Sequence, residues 1–190
     1  MRSHTPPITA TATAIVAVAF AAGVLAAASA GAAAPSDPGI LLELDRERFA
    51  LRVRDLRSGE TGPAVPVVLG SPAHPTPGGS FALERVILNP AWTPGPRARA
   101  GGALDRGPGL ESPMGVAKIP FAGGGAIALH GGGDPLLLGK PVSSGCVRAA
   151  DADLLRVLAW LHERGALAPP EPHRGESHRS FQRRTQLIVY

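Results

Sequence analysis

Residues 126–148 read A-I-A-L-H-G-G-G-D-P-L-L-L-G-K-P-V-S-S-G-C-V-R, and this stretch decides how the rest of the chain is understood. Ala126 to His130 reads as a strand. A loop of mostly Gly, Pro and Leu follows and ends in Ser143-Ser144-Gly145-Cys146-Val147-Arg148. Cys146 is the single cysteine of the chain. A lone thiol is a small buried apolar group, a partner for intermolecular bonding, or a nucleophile. Its neighbours favour the last. A thiol of ordinary pKa, about 8.5, is largely protonated near pH 7. A nearby imidazole can take that proton, and the imidazolium in turn stabilises the thiolate. A strand ending at His130 and a loop ending at Cys146 can bring the two side chains together. Gly145 removes a side chain just before the thiol, so that backbone N–H groups there can face a developing oxyanion. Arg148 lies two residues on and, in extended chain, points to the same side as Cys146. Its planar guanidinium suits a carboxylate held by two parallel hydrogen bonds.

Outward from this stretch the pattern is mostly β. Ile40, Leu42 and Leu44 alternate with Leu41, Glu43 and Asp45, and Phe49, Leu51 and Val53 alternate with Ala50, Arg52 and Arg54 across the turn Arg46-Glu47-Arg48. Further strands are expected at Val65 to Leu69, Phe81 to Leu88, Val116 to Ile119 and Leu187 to Tyr190. Between Asn89 and Pro113 the chain is dense in Pro, Gly and Arg without periodicity, the mark of a functional or disordered loop. One helix is expected, with Asp151 as N-cap, an apolar stripe of Leu154, Leu155, Val157, Leu158 and Leu161, and Gly165 as the stop. Residues 166–184 read as a polar, variable segment, with Arg179 to Arg184 solvated.

The motif H-G…S-S-G-C-V-R resembles the signature of the L,D-transpeptidase (YkuD-type) catalytic domain family, a His-Gly followed by Ser-His-Gly-Cys-Ile/Val-Arg. Four other stretches are similar to that family in the same order: T-P-G-G-S-F ending at Phe81, Asn89-Pro90-Ala91-Trp92, Ser112-Pro113-Met114-Gly115, and Ala149 to Asp153 leading into a helix. The likeness covers roughly residues 40–165. It implies a mostly β fold, a mixed or antiparallel β-sandwich with one main α-helix. It also implies an acyltransferase that acts on peptidoglycan tetrapeptide stems. Cys146 would attack the carbonyl of the third stem residue, meso-diaminopimelate, and release the terminal D-Ala. His130 would be base and then acid, with the Gly131 carbonyl orienting its ring. Backbone N–H groups around Ser144, Gly145 and Cys146 would form the oxyanion hole, Arg148 would hold the diaminopimelate carboxylate, and Ser143 and Trp92 would line the substrate cleft. Carbapenems would acylate Cys146. No cofactor or metal is expected. In four places the chain departs from the family pattern, one of them residues 166–184, longer and more polar than the usual short turn into a last strand. Ser144 stands where His is usual, Asp151 where Asn is usual, and residues 123–125 are three glycines. A hydrolase on the same fold, an L,D-carboxypeptidase or amidase using water as acceptor, and an inactive peptidoglycan-binding module are the alternatives.

Composition fits an exported wall enzyme. The 24 Gly and 20 Pro of 190 residues suit a strand- and loop-based domain rather than a helical bundle. A net charge of +4, carried almost wholly by Arg, raises the question of nucleic acid. No basic stripe interleaved with aromatics occurs, so nucleic acid is not an expected partner. Arg2 and His4 precede the apolar run Ala12 to Ala27, which passes into Ala28-Ser29-Ala30. Residues 1–32 are thus expected to be a signal peptide, cleaved near Ala30 or Ala32, with a catalytic domain over 38–190. The protein then works in the periplasm or cell-wall space and meets a membrane only if the leader stays uncleaved. His74, His162, His173 and His178 lack a partner such as Cys146 and read as surface residues.

Overall fold

The computed structural model describes residue 1 and residues 39–109, 111–169 and 175–190. The chain divides into Met1–Ala34 and Pro35–Tyr190, and the elements described belong to the second unit. The expected leader and His173 lie outside the described residues.

Strands β1 (Ile40–Asp45) and β2 (Ala50–Asp55) form an antiparallel hairpin in which Leu42 faces Val53 and Leu44 faces Leu51. The period-2 alternation read from the sequence sends Ile40, Leu42, Leu44, Leu51 and Val53 into the core, each 1% exposed or less. Burying each such side chain stabilises the fold by about 1.5–3 kcal/mol. Strands β3 (Thr61–Gly70), β4 (Gly79–Leu88), β5 (Ala117–Ala122), β6 (Ile127–His130), β7 (Pro141–Ser143), β8 (Val147–Ala149) and β9 (Ser177–Val189) complete one sheet. Its order is β2-β1-β9-β4-β5-β6-β8-β3-β7, and β2 also pairs with β3, so the sheet closes on itself. Three pairings are parallel, β1 with β9, β6 with β8 and β3 with β7; the others are antiparallel. The fold is therefore mostly β and mixed, with one main helix, as the sequence implied.

That helix, α2 (Asp151–Glu163), follows a short helix α1 (Pro96–Ala100) in the long loop. Helix α2 buries Leu154, Val157, Leu158, Trp160 and Leu161 against the sheet, while Leu155 stays exposed. Its C-terminus is closed by two reversed bonds, Ala166 N–H to the Leu161 carbonyl and Gly165 N–H to the His162 carbonyl, both 2.9 Å. Gly165 has a φ of +63°, which such an ending requires. The start differs from the expected one. Ala150 is the N-cap, and Asp151 is the first helical residue, its carboxylate turned away to other backbone groups.

Two further corrections concern loops. The last strand begins at Ser177, ten residues before the expected Leu187, because β4 pairs with its Ser177–Ser180 end and Ala166 and Leu167 bond to Gln182 and Phe181, which satisfies that backbone regardless of side chain. The run Arg179 to Arg184 is therefore strand. Arg183, with a side chain only 8% exposed, reaches Asp55 through two 2.8 Å bonds, and Asp55 is itself buried. The long loop is pinned at both ends. Asn89 N–H donates to the Val116 carbonyl, the Ser112 hydroxyl donates to the Pro90 carbonyl at 2.6 Å, and Trp92 bridges to Arg106.

Candidate active site

The parallel pairing of β6 with β8 places the two expected chemical groups at neighbouring strands. Leu129 lies opposite Val147 and His130 opposite Arg148, so Cys146, one residue earlier, falls beside Ala128. Leu129 and Val147 point into the core. By alternation, Cys146, Arg148 and His130 share the other face, with Cys146 and His130 two residues apart along the strand direction, about 7 Å of rise. On its other side His130 pairs with Lys118 of β5. One row of the sheet thus reads Lys118, His130, Arg148. Lys118 lies outside every family-like motif, and only the strand register, invisible in sequence, brings it here.

His130 is 1% exposed. Its Nδ1 lies 2.7 Å from the Gly131 carbonyl, which can only accept, so Nδ1 carries the proton and Nε2 is the free base. Burial pulls its pKa from 6.5 down to about 4, and the cations of Arg148 and Lys118 add to this. The Gly131 hydrogen bond and the Asp151 carboxylate act the other way. At neutral pH the ring is an uncharged base. Cys146 is free and partly exposed, and its thiol donates to the Ala126 carbonyl at 3.7 Å.

The turn that carries the thiol is held from within. The Ser143 hydroxyl donates to the Cys146 carbonyl at 2.6 Å and accepts from Gly145 N–H at 3.1 Å. Ser143 is 2% exposed, and while the residue also lines the cavity beside Ser144, its hydroxyl shapes the turn. Because Gly145 N–H is engaged there, it is not among the donors free for an oxyanion. Gly145 has a φ of +111°, where side chains other than hydrogen are strained, and an added methyl would meet the Ile127 side chain. Ser144 is exposed and lines a cavity of about 350 Å³ with Ser71, His74, Arg97 and Val142. His74 is in hydrogen-bond contact with Arg97 there. Trp92 is half-buried in its bridge to Arg106 and does not line that cavity.

Arg148 is partly buried, and its Nε has no hydrogen-bond partner among the described residues. Asp151 was expected to cap a helix but braces the site. Its Oδ1 accepts from Val116 N–H at 3.0 Å and from Gly132 N–H at 2.9 Å, next to the Gly131 that orients His130. Thr76 had no assigned part in the sequence reading beyond its place in T-P-G-G. It is 3% exposed and hydrogen-bonded to the carbonyl of Gly145.

Solved structures share this fold. An Enterococcus faecium L,D-transpeptidase mutant aligns with a TM-score of 0.53 at 16% identity, over 81% of this chain and 50% of that one. An L,D-transpeptidase from Mycobacterium tuberculosis aligns with a TM-score of 0.51 at 15% identity, over 80% and 58%. L,D-transpeptidase 3 from the same organism, in complex with a faropenem-derived adduct, gives 0.50 at 15%, over 80% and 60%. The chain thus spans about half to three fifths of the length of these proteins. No curated protein matches. The profile of the L,D-transpeptidase catalytic domain (YkuD) matches residues 40–170, more than half of the sequence, and on that match the chain belongs to the YkuD family of L,D-transpeptidase catalytic domains.

Proposed function

We propose that the protein is a cysteine-dependent L,D-transpeptidase acting on peptidoglycan tetrapeptide stems. The observation that carries this reading is the pairing of β6 with β8, which sets a buried, neutral His130 with a free Nε2 on the same face as Cys146. For the reaction the thiol must leave the Ala126 carbonyl and turn, by rotation about the Cα–Cβ bond of Cys146, toward that ring. Nε2 takes the thiol proton, and the thiolate attacks the carbonyl of the third stem residue. Backbone N–H groups of the Cys146 turn receive the oxyanion. Collapse breaks the amide bond. The departing D-Ala nitrogen takes the proton from the imidazolium, leaving a thioester on Cys146 and a neutral ring. An acceptor amine then attacks the thioester and gives its proton to Nε2, and the thiolate is expelled and reprotonated. Water in place of the amine gives carboxypeptidase action by the same steps.

Arg148, whose Nε has no hydrogen-bond partner among the described residues, suits the diaminopimelate carboxylate. The leader-like pattern of residues 1–32 supports work in the periplasm or cell-wall space. The faropenem-derived adduct of a structural relative supports β-lactams, carbapenems among them, as covalent inhibitors here.

The test is intact-mass spectrometry of wild type and Cys146→Ala with meropenem and with a diaminopimelate tetrapeptide. An adduct on wild type alone, with release of D-Ala, is expected, and the product masses separate transfer from hydrolysis. Folded, reduced wild type that forms no adduct and releases no D-Ala overturns the enzyme reading.

A further inference from the structure

The loop after β3 grips the turn that carries Cys146, and it does so through one side chain. Ser71 N–H donates to the Ser143 carbonyl at 2.9 Å, which brings the loop alongside the turn. Thr76 Oγ1 then makes two bonds. It accepts from Gly70 N–H at 2.9 Å, and it lies 3.0 Å from the Gly145 carbonyl. Because the first partner is a donor and the second an acceptor, the hydroxyl proton must go to Gly145. Gly70 leaves no space for a side chain, since an added methyl would run into the backbone of His74 and Thr76. Thr76 sits between Pro75 and Pro77, so the arm that holds the hydroxyl is itself stiff.

The consequence falls on the peptide that joins Gly145 to Cys146. In a trans peptide the carbonyl and the N–H point in opposite directions, and there is no cis bond among the described residues. With the Gly145 carbonyl held by Thr76, the Cys146 N–H points away from Thr76. The Gly145 N–H is already taken by Ser143, so the Cys146 N–H is the donor of this peptide that lies next to the thiol. A glycine at a φ of +111° has other conformations within reach, and rotation of this peptide would turn the donor away and present a carbonyl instead.

We infer that Thr76 is a positioning residue, whose hydroxyl locks the Gly145–Cys146 peptide so that the Cys146 N–H is preorganised for the oxyanion of acyl transfer. This rests on the acyl-transfer reading above. It differs from a purely structural role in a measurable way. Acylation by a β-lactam passes through an oxyanion, whereas alkylation of the thiol by iodoacetamide displaces iodide at a saturated carbon and makes none.

The experiment measures second-order rates for both reagents, with melting curves, on wild type, Thr76→Val and Thr76→Ser. Thr76→Val should lose about 100-fold in meropenem acylation, the usual loss on removing an oxyanion donor, and stay within about threefold in alkylation. Thr76→Ser, which keeps the hydroxyl, should acylate within a few-fold of wild type. Should Thr76→Val fail to fold, Thr76→Ala is read in its place, and failure of both to fold makes Thr76 a fold determinant and overturns the inference. Equal losses in the two rates, or wild-type acylation without the hydroxyl, also overturn it and leave the transpeptidase reading intact. A wild type that is alkylated but never acylated sinks that reading and takes this inference with it.

Discussion

The ring of His130 is tied to the carbonyl of Gly131 by a 2.7 Å hydrogen bond from Nδ1, and this one contact decides which nitrogen can act as base. Buried and flanked by two cations in the same sheet row, the ring stays neutral with its lone pair on Nε2. The first prediction follows from its pKa of about 4. In the free protein the C2 proton shift of His130 should titrate with a midpoint near 4, and the acylation rate should hold from neutral pH to about 5 before it falls. A midpoint above 6.5 would show an imidazolium already paired with a thiolate, contrary to this picture.

The same depression couples to stability. Between pH 6.5 and 4 the unfolded chain binds a proton at this position that the folded chain refuses, so stability falls as pH falls through that window. The loss reaches about 3 kcal/mol at the acid end. Urea unfolding of wild type and His130→Gln at pH 7 and pH 4.5 checks this. The pH-dependent difference should shrink in the variant, and an unchanged difference rules His130 out as its source.

Lys118 is the neighbour that sequence reading did not supply. It faces His130 across β5 and β6 and lowers its pKa. Lys118→Met keeps the length of the stem and removes the charge, so the His130 midpoint should rise. The groups facing the ring from the adjoining elements are Lys118, Arg148 and Asp151, and their signs predict opposite shifts. Asp151→Asn, which keeps an acceptor for Val116 and Gly132 N–H, should lower the midpoint while leaving the fold intact. Asp151→Ala leaves both donors without that partner and should cost about 1–3 kcal/mol. A Lys118→Met midpoint at or below the wild-type value contradicts the assignment of its field.

Cys146, His130, Gly145 and Arg148 were legible because short-range chemistry marks them: a thiol after glycine, an imidazole before a glycine run, a guanidinium two residues on. Strands β1 and β2 were legible because strict alternation survives in their side chains. What stayed hidden depends on contacts far apart in the chain. Asp151 stands where a cap belongs, and only the tertiary fold shows its carboxylate crossing to Val116 and Gly132. The two bonds that Ser143 makes within its own turn were likewise not to be read from its neighbours. Strand β9 carries Arg, Ser, His and Gln where strands usually carry apolar residues. Its alternation is real, with Phe181 and Arg183 inward and Gln182 and Arg184 outward, but Ser177, Arg179, Arg183 and Thr185 make the inward positions largely polar. Charge alone suggested solvent, and the partner that changes this, Asp55, is 128 positions away.

That pair supports the last prediction. Asp55 and Arg183 exchange two bonds of 2.8 Å with both side chains under 10% exposed, and they join the end of β2 to β9 across the sheet. The Arg183 guanidinium holds the Asp55 carboxyl far below the usual carboxylate range, assisted by the Arg57 N–H. The stability it contributes is present above the unfolded carboxylate pKa of about 3.9 and is lost as pH falls below it. Asp55→Ala leaves a buried guanidinium without its carboxylate and should destabilise by about 3–5 kcal/mol. Replacing both, Asp55→Leu with Arg183→Met, should recover much of that loss, because the cost lies in stranding one charge rather than in lacking the pair. Chemical denaturation of the single and double variants at pH 7 measures both numbers. If Asp55→Ala costs less than about 1 kcal/mol, the pair behaves as a surface ion pair and the solvated reading of Arg179 to Arg184 returns.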